Sequence, residues 1–162
     1  MYYIKYFFIT SIIGFIIESF VYGNYFGNSG ILYGPWTVVY GFGSVLILLI
    51  NNFISKKVKN KILQALLIFI ISTLFLTLLE LIGGILIEKM FNIVFWDYSD
   101  CKYHIGKYIC VEMSILWGFA SLAFIYLFKP IIDKIIKYIP KFLIYTLIFL
   151  ILCDLILTII LK

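Results

Sequence analysis

Eight acidic side chains occur in this 162-residue chain, and two of them interrupt a stretch that otherwise suits hydrocarbon. That stretch, LELIGGILIE, carries Glu80 and Glu88 and runs on into WDYS, which holds Trp96, Asp97, Tyr98 and Ser99. A carboxylate placed in or near a bilayer is costly, so it either performs chemistry or has a dedicated partner. The chemistry open to it is binding a cation, carrying a proton or holding a polar headgroup. The structural alternative is a hydrogen bond to Tyr, Ser, Trp or Lys of another helix. Glu80 and Glu88 lie eight residues apart, about 80° apart in direction and about 12 Å apart along a helix. They share a broad face but cannot form a dyad with each other. A multi-carboxylate site must borrow an acid from another helix, and Glu18 is the first candidate.

The glycine-rich stretch NSGILYGPW offers Asn28 and Ser29 as polar groups. Gly30 and Gly34 permit a tight turn, or backbone amides facing an anionic headgroup. Asp97 and Ser99 suit a turn as well as a ligand role, and Trp and Tyr belong at membrane interfaces. Cys101 and Cys110 share one loop. A disulfide under oxidising conditions is one option for them, and separate packing of Cys110 at the start of a helix is the other. One His and three scattered Cys give no zinc spacing, so neither a metal nor a cofactor is expected. The phosphate-binding loop and the serine-hydrolase elbow are both missing, which argues against an enzyme of either kind.

The elements that must position these groups are membrane helices. The chain is 64% hydrophobic, 20% aromatic and 13% charged, with a mean hydropathy of +1.12. A soluble domain of this length could not bury so much apolar surface. The expected fold is all-α: one integral membrane domain over residues 1–162. Spans are expected near 3–22, 36–54, 62–88, 110–128 and 141–161, with an interfacial amphipathic helix over 131–139. In that helix Ile131, Ile132, Ile135, Ile136 and Ile139 share one face. Pro35 and Trp36 open the second span, where proline loses no hydrogen bond. Gly41 there, Gly84 in the third span, and Ser114 with Gly118 in the fourth permit close helix approach.

All 13 basic residues are Lys, and the net charge is +5. Nine lysines fall on the side of the N-terminus and four on the other, so the N-terminus is expected in the cytoplasm and the C-terminus outside. The lysines then serve topology, and nucleic acid is not an expected partner. In this orientation Glu18, Glu80, Glu88, Asp97, Asp100, Glu112 and Asp154 all fall in the outer half or outer loops.

The ordered series NSGILYGPW, VYGFG, LELIGGILIE, WDYS, IC and SILWG resembles the ABC-transporter type IV (CmpB-like) family of small bacterial membrane proteins. The matching residues are Asn28, Ser29, Gly30, Gly34, Pro35, Trp36, Tyr40, Gly41, Glu80, Gly84, Glu88, Trp96, Asp97, Tyr98, Ser99, Cys110, Ser114, Trp117 and Gly118. Val38, His104 and Lys107 depart from the family pattern, and Glu112 and Asp154 are not part of it. The resemblance implies a polytopic protein of the bacterial cytoplasmic membrane with a permease role. The lipid bilayer is its medium, and a separate ATPase subunit or a second copy is its expected partner. Two other functions fit the same residues. One is an intramembrane enzyme acting on a lipid-linked substrate at the outer leaflet. The other is a structural or sensory subunit.

Overall fold

The computed structural model of the protein describes residues 1–21 and 30–161. It is all-α apart from one small hairpin. The elements are α1 (Tyr2–Val21), α2 (Val38–Lys57), α3 (Lys61–Phe91), β1 (His104–Ile105), β2 (Ile109–Cys110), α4 (Val111–Ala123), a π-helical turn (Phe124–Phe128), α5 (Lys129–Ile135) and α6 (Lys141–Leu161). Five helical stretches are long and apolar enough to cross a membrane. They are α1, α2, α3, the continuous run Val111–Ile135, and α6.

That continuous run departs from the expected break before residue 131. Pro130 has no N–H to give and its ring crowds the carbonyl four residues back, which ordinarily ends a helix. Here the ladder widens just ahead of it: the Lys129 N–H bonds to the Phe124 carbonyl, five residues earlier. A π-turn of this kind absorbs the irregularity and lets the helix continue. The helix then stops at Ile135, short of the expected end at 139. Its isoleucines divide, with Ile132 and Ile136 buried and Ile131 and Ile135 exposed.

The chain forms two compact units, Met1–Val45 with Ile131–Lys162, and Leu46–Pro130. In the first, α1 is tied to the segment around α5. Tyr2 and Tyr6 hydroxyls donate to Asp133 Oδ1 at 2.9 and 2.8 Å. Lys5 Nζ donates to the Ile136 and Ile139 carbonyls at 2.7 and 2.8 Å, capping the end of that segment. Against α2, Thr10 Oγ1 meets Ser44 Oγ at 2.8 Å, and Gly14 lies so close to Tyr40 that a Cβ would strike its ring.

In the second unit α3 begins at an Asn60 cap, whose Oδ1 accepts from the Ile62 and Leu63 amides at 2.9 and 3.2 Å. It ends at Asn92, which takes the left-handed conformation with φ 53°. Its buried residues are Gln64, Ile68, Ser72, Leu76, Glu80 and Gly84, spaced by four throughout. Four residues advance about 40° beyond a full turn, so this stripe winds around the helix. Every second member, Gln64, Ser72 and Glu80, is polar. α4 packs along α3. Between α3 and α4 the chain forms the hairpin, with His104 opposite Cys110 and Ile105 opposite Ile109. Gly106 at φ +62° supplies the left-handed residue of its three-residue turn.

Candidate functional site

Glu80 is 6% exposed and receives one donor on each oxygen. Tyr98 OH donates to Oε1 at 2.7 Å, and Trp117 Nε1 donates to Oε2 at 3.1 Å. Both donors are neutral. Both lie later in the chain, one in the turn after α3 and one in α4. Trp117 reaches because Gly118 beside it lets α4 close on α3: a Cβ there would stand 2.6 Å from the Phe69 ring. Ser114 and Ser121 donate back to the Cys110 and Trp117 carbonyls at 2.9 and 2.8 Å, so α4 carries no unsatisfied hydroxyl from either serine.

Glu88, two turns further along α3, has a different environment. It forms an ion pair with Lys107 and accepts Tyr108 OH at 2.7 Å on Oε2. The Tyr108 ring covers Gly84, where only a glycine leaves room for it. Hydrogen bonding to the Glu88 carboxylate raises the Lys107 ammonium above its ordinary range. Burial, and then the bond to Glu88, raise the Tyr108 hydroxyl. The two glutamates of α3 therefore form two sites: one carboxylate with neutral donors, one neutralised by a lysine. Trp96 packs its ring edgewise on Tyr108 at 6.0 Å between centroids. Its own Nε1 is buried without a partner among the described residues.

Asp97 and Ser99 form a local turn. Asp97 Oδ1 accepts from the Ser99 amide at 2.8 Å and from its hydroxyl at 2.5 Å. These two donors hold the Asp97 carboxyl below the usual carboxylate range. A group depressed in this way favours the folded turn above its unfolded pKa and loses that effect as pH falls through the folded value. Hydrogen exchange at the Ser99 amide is therefore expected to show full protection at neutral pH, declining below about pH 4. Unchanged protection relative to neighbouring amides at pH 3 would contradict this.

In the other unit, Glu18 accepts Thr37 Oγ1 at 3.5 Å and also bonds Tyr40. Asp154 gathers several donors. It is 7% exposed and accepts the Tyr33 amide at 3.0 Å, the Gly34 amide at 2.8 Å and Trp36 Nε1 at 2.6 Å. Its carboxylate thus holds the loop that leads into α2, and Gly30, Gly34, Pro35 and Trp36 belong to that loop. Gly41 makes room for Phe7 and Ser11 of α1. Asn28 and Ser29 lie outside the described residues.

Sequence reasoning gives Trp117 and Lys107 no direct role, yet they supply partners for Glu80 and Glu88. The signals were slight: a tryptophan beside a small-residue position in α4, and the only lysine next to the hairpin glycine. Among the described residues, no three His, Cys, Asp or Glu side chains gather as a metal site would require.

No curated protein and no solved structure matches the chain. A family model does, over residues 5–160, nearly the whole length and all five apolar helices. By that match the chain belongs to the family described as Putative ABC-transporter type IV.

Proposed function

We infer that the protein is the membrane-spanning, permease subunit of an ABC-type transporter, and that Glu80 is the anionic element of its site for a cation or polar solute. One observation carries this reading: Glu80 is a buried carboxylate on an apolar helix whose donors are the neutral groups Tyr98 and Trp117. A charge in that position calls for a counter-ion. The neighbouring Glu88 already has one in Lys107. A single carboxylate flanked by a hydroxyl and an indole suits a monovalent cation or an organic ammonium better than a divalent ion, which needs several oxygen ligands. The lysine distribution supports a cytoplasmic N-terminus, an outer C-terminus and Glu80 in the outer half, in what this reading takes as a bacterial inner membrane. Energy then comes from a separate ATPase docked on the lysine-rich 56–61 segment.

Glu80→Gln tests the reading. The amide keeps the size of the side chain and can still bond both partners, but it carries no charge. Calorimetry of the purified protein with Na+, K+ or tetramethylammonium is expected to show binding to wild type and at least about tenfold weaker binding to the variant, a difference of about 1.4 kcal/mol. The variant is expected to melt close to wild type. A second reading, that Glu80 only locks α3 to α4, is favoured by the donor that each of its oxygens receives from outside α3. A variant that melts early while wild type binds none of these cations would decide for the lock.

A further inference from the structure

Cys101 and Cys110 are both free thiols, Cys101 lying three residues before β1 and Cys110 ending β2. Cys101 is half-buried, whereas Cys110 is 1% exposed. The Cys101 amide bonds the Tyr98 carbonyl at 2.9 Å, closing a turn ahead of β1. Cys110 stands opposite His104 at the end of β2. The Cys101 thiol is within hydrogen-bonding reach of the Cys110 sulfur. Cys110 in turn donates to Glu112 Oε2 at 2.9 Å. The three groups form a relay from an accessible thiol, through a buried one, to a carboxylate.

We propose that Cys101 and Cys110 are a redox pair that closes to a disulfide by exchange with an external disulfide, locking Tyr98 and Tyr108 onto Glu80 and Glu88. Cys101 attacks the external disulfide, forming a mixed disulfide and releasing one thiol, which takes the Cys101 proton. Cys110 then passes its proton to Glu112 and attacks the Cys101 sulfur. The second external thiol leaves and takes up that proton. Two cysteines are oxidised to one S–S bond, and one external disulfide is reduced to two thiols. The hydrogen bond to Cys110, burial and the nearby acids Glu112 and Asp100 push the Cys101 thiol up to about 11. Spontaneous exchange at neutral pH is therefore slow, which suits closure by a disulfide-exchange catalyst.

The consequence lies in what the closed ring holds. Tyr98 donates its amide to the Lys107 carbonyl at 2.8 Å and its hydroxyl to Glu80. Tyr108 donates to Glu88. A bond between positions 101 and 110 ties together the two strands of chain that carry these tyrosines. The effect on Glu80 rests on the binding role proposed above, but the thiol chemistry does not.

The purified protein is incubated with oxidised glutathione at pH 8.5, alkylated and mapped. A peptide linking 101 to 110 and lacking two hydrogens is expected, together with amide exchange over 98–108 slowed about tenfold or more relative to the reduced protein. The Cys101→Ser variant is expected to show neither change while melting like the reduced wild type. Alkylation of both thiols after equilibration, or a mixed glutathione adduct on Cys101 that persists, would overturn the pairing. A linked peptide with unchanged exchange over 98–108 would overturn the lock. Cation binding by Glu80 is measured separately, so its absence leaves these outcomes unaffected.

Discussion

Asp154→Ala is expected to be the most damaging single substitution in the first compact unit. The methyl group leaves the Tyr33 amide, the Gly34 amide and the Trp36 indole N–H without their acceptor. Each buried donor that loses its partner costs about 1–3 kcal/mol, so the three together cost on the order of 3–5 kcal/mol after partial rescue by water. Asp154→Asn keeps one strong acceptor and should fall about halfway. Thermal unfolding in detergent measures the loss, and hydrogen exchange at Tyr33 and Gly34 locates it. A melting point within a degree of wild type, with both amides still protected, would contradict the assignment. The charge matters less here than the geometry, because two backbone amides and a ring N–H converge on one carboxylate.

Gly118→Leu is expected to be its counterpart in the second unit. A Cβ at this position meets the Thr73 hydroxyl and stands 2.6 and 2.9 Å from atoms of the Phe69 ring. Neither can swing aside cheaply. Thr73 is hydrogen-bonded to the Phe69 carbonyl at 2.8 Å, and Phe69 packs edgewise on Phe119 at 5.0 Å. Overpacking of this kind costs about 1–3 kcal/mol even for a few added carbons, and Leu adds four. The expected result is separation of α4 from α3, loss of the Trp117 bond to Glu80, and a broad or aggregated profile on size exclusion. Gly83→Ala is the control, because its Cβ would meet only Trp96 at a comfortable 3.7 Å. There the better helix propensity of Ala should leave stability unchanged or improve it by up to about 1 kcal/mol. A well-behaved Gly118→Leu protein whose Trp117 still bonds Glu80 would remove the close-packing argument.

The contrast between Gly83 and Gly84 marks the limit of sequence reading. Both sit in the same GG pair between two glutamates; the sequence offers Gly84 for close approach but not the group that approaches it. Tyr108, twenty-four residues away from Gly84 and beyond a hairpin, decides that Gly84 is the one that cannot change. The hairpin itself was hidden, because two strands of two residues give no periodicity to detect. The extension of the fourth span through Pro130 was hidden as well. A proline predicts a break unless the ladder has already widened, and the π-turn that widens it has no sequence signature.

What the sequence determined by itself is the medium and the number of crossings. Long runs of Ile, Leu and Phe have one low-energy environment, and their length matches the bilayer whatever they pack against. It also determined that acids would be few and in need of partners. Which partner each acid obtained was decided by the tertiary structure alone. Glu88 receives a lysine, Asp154 two amides and an indole, and Glu80 a hydroxyl and an indole. These donors lie 18 to 121 positions away in the chain. Charge neutralisation depends on approach over a few ångströms, which no spacing along a single helix can specify.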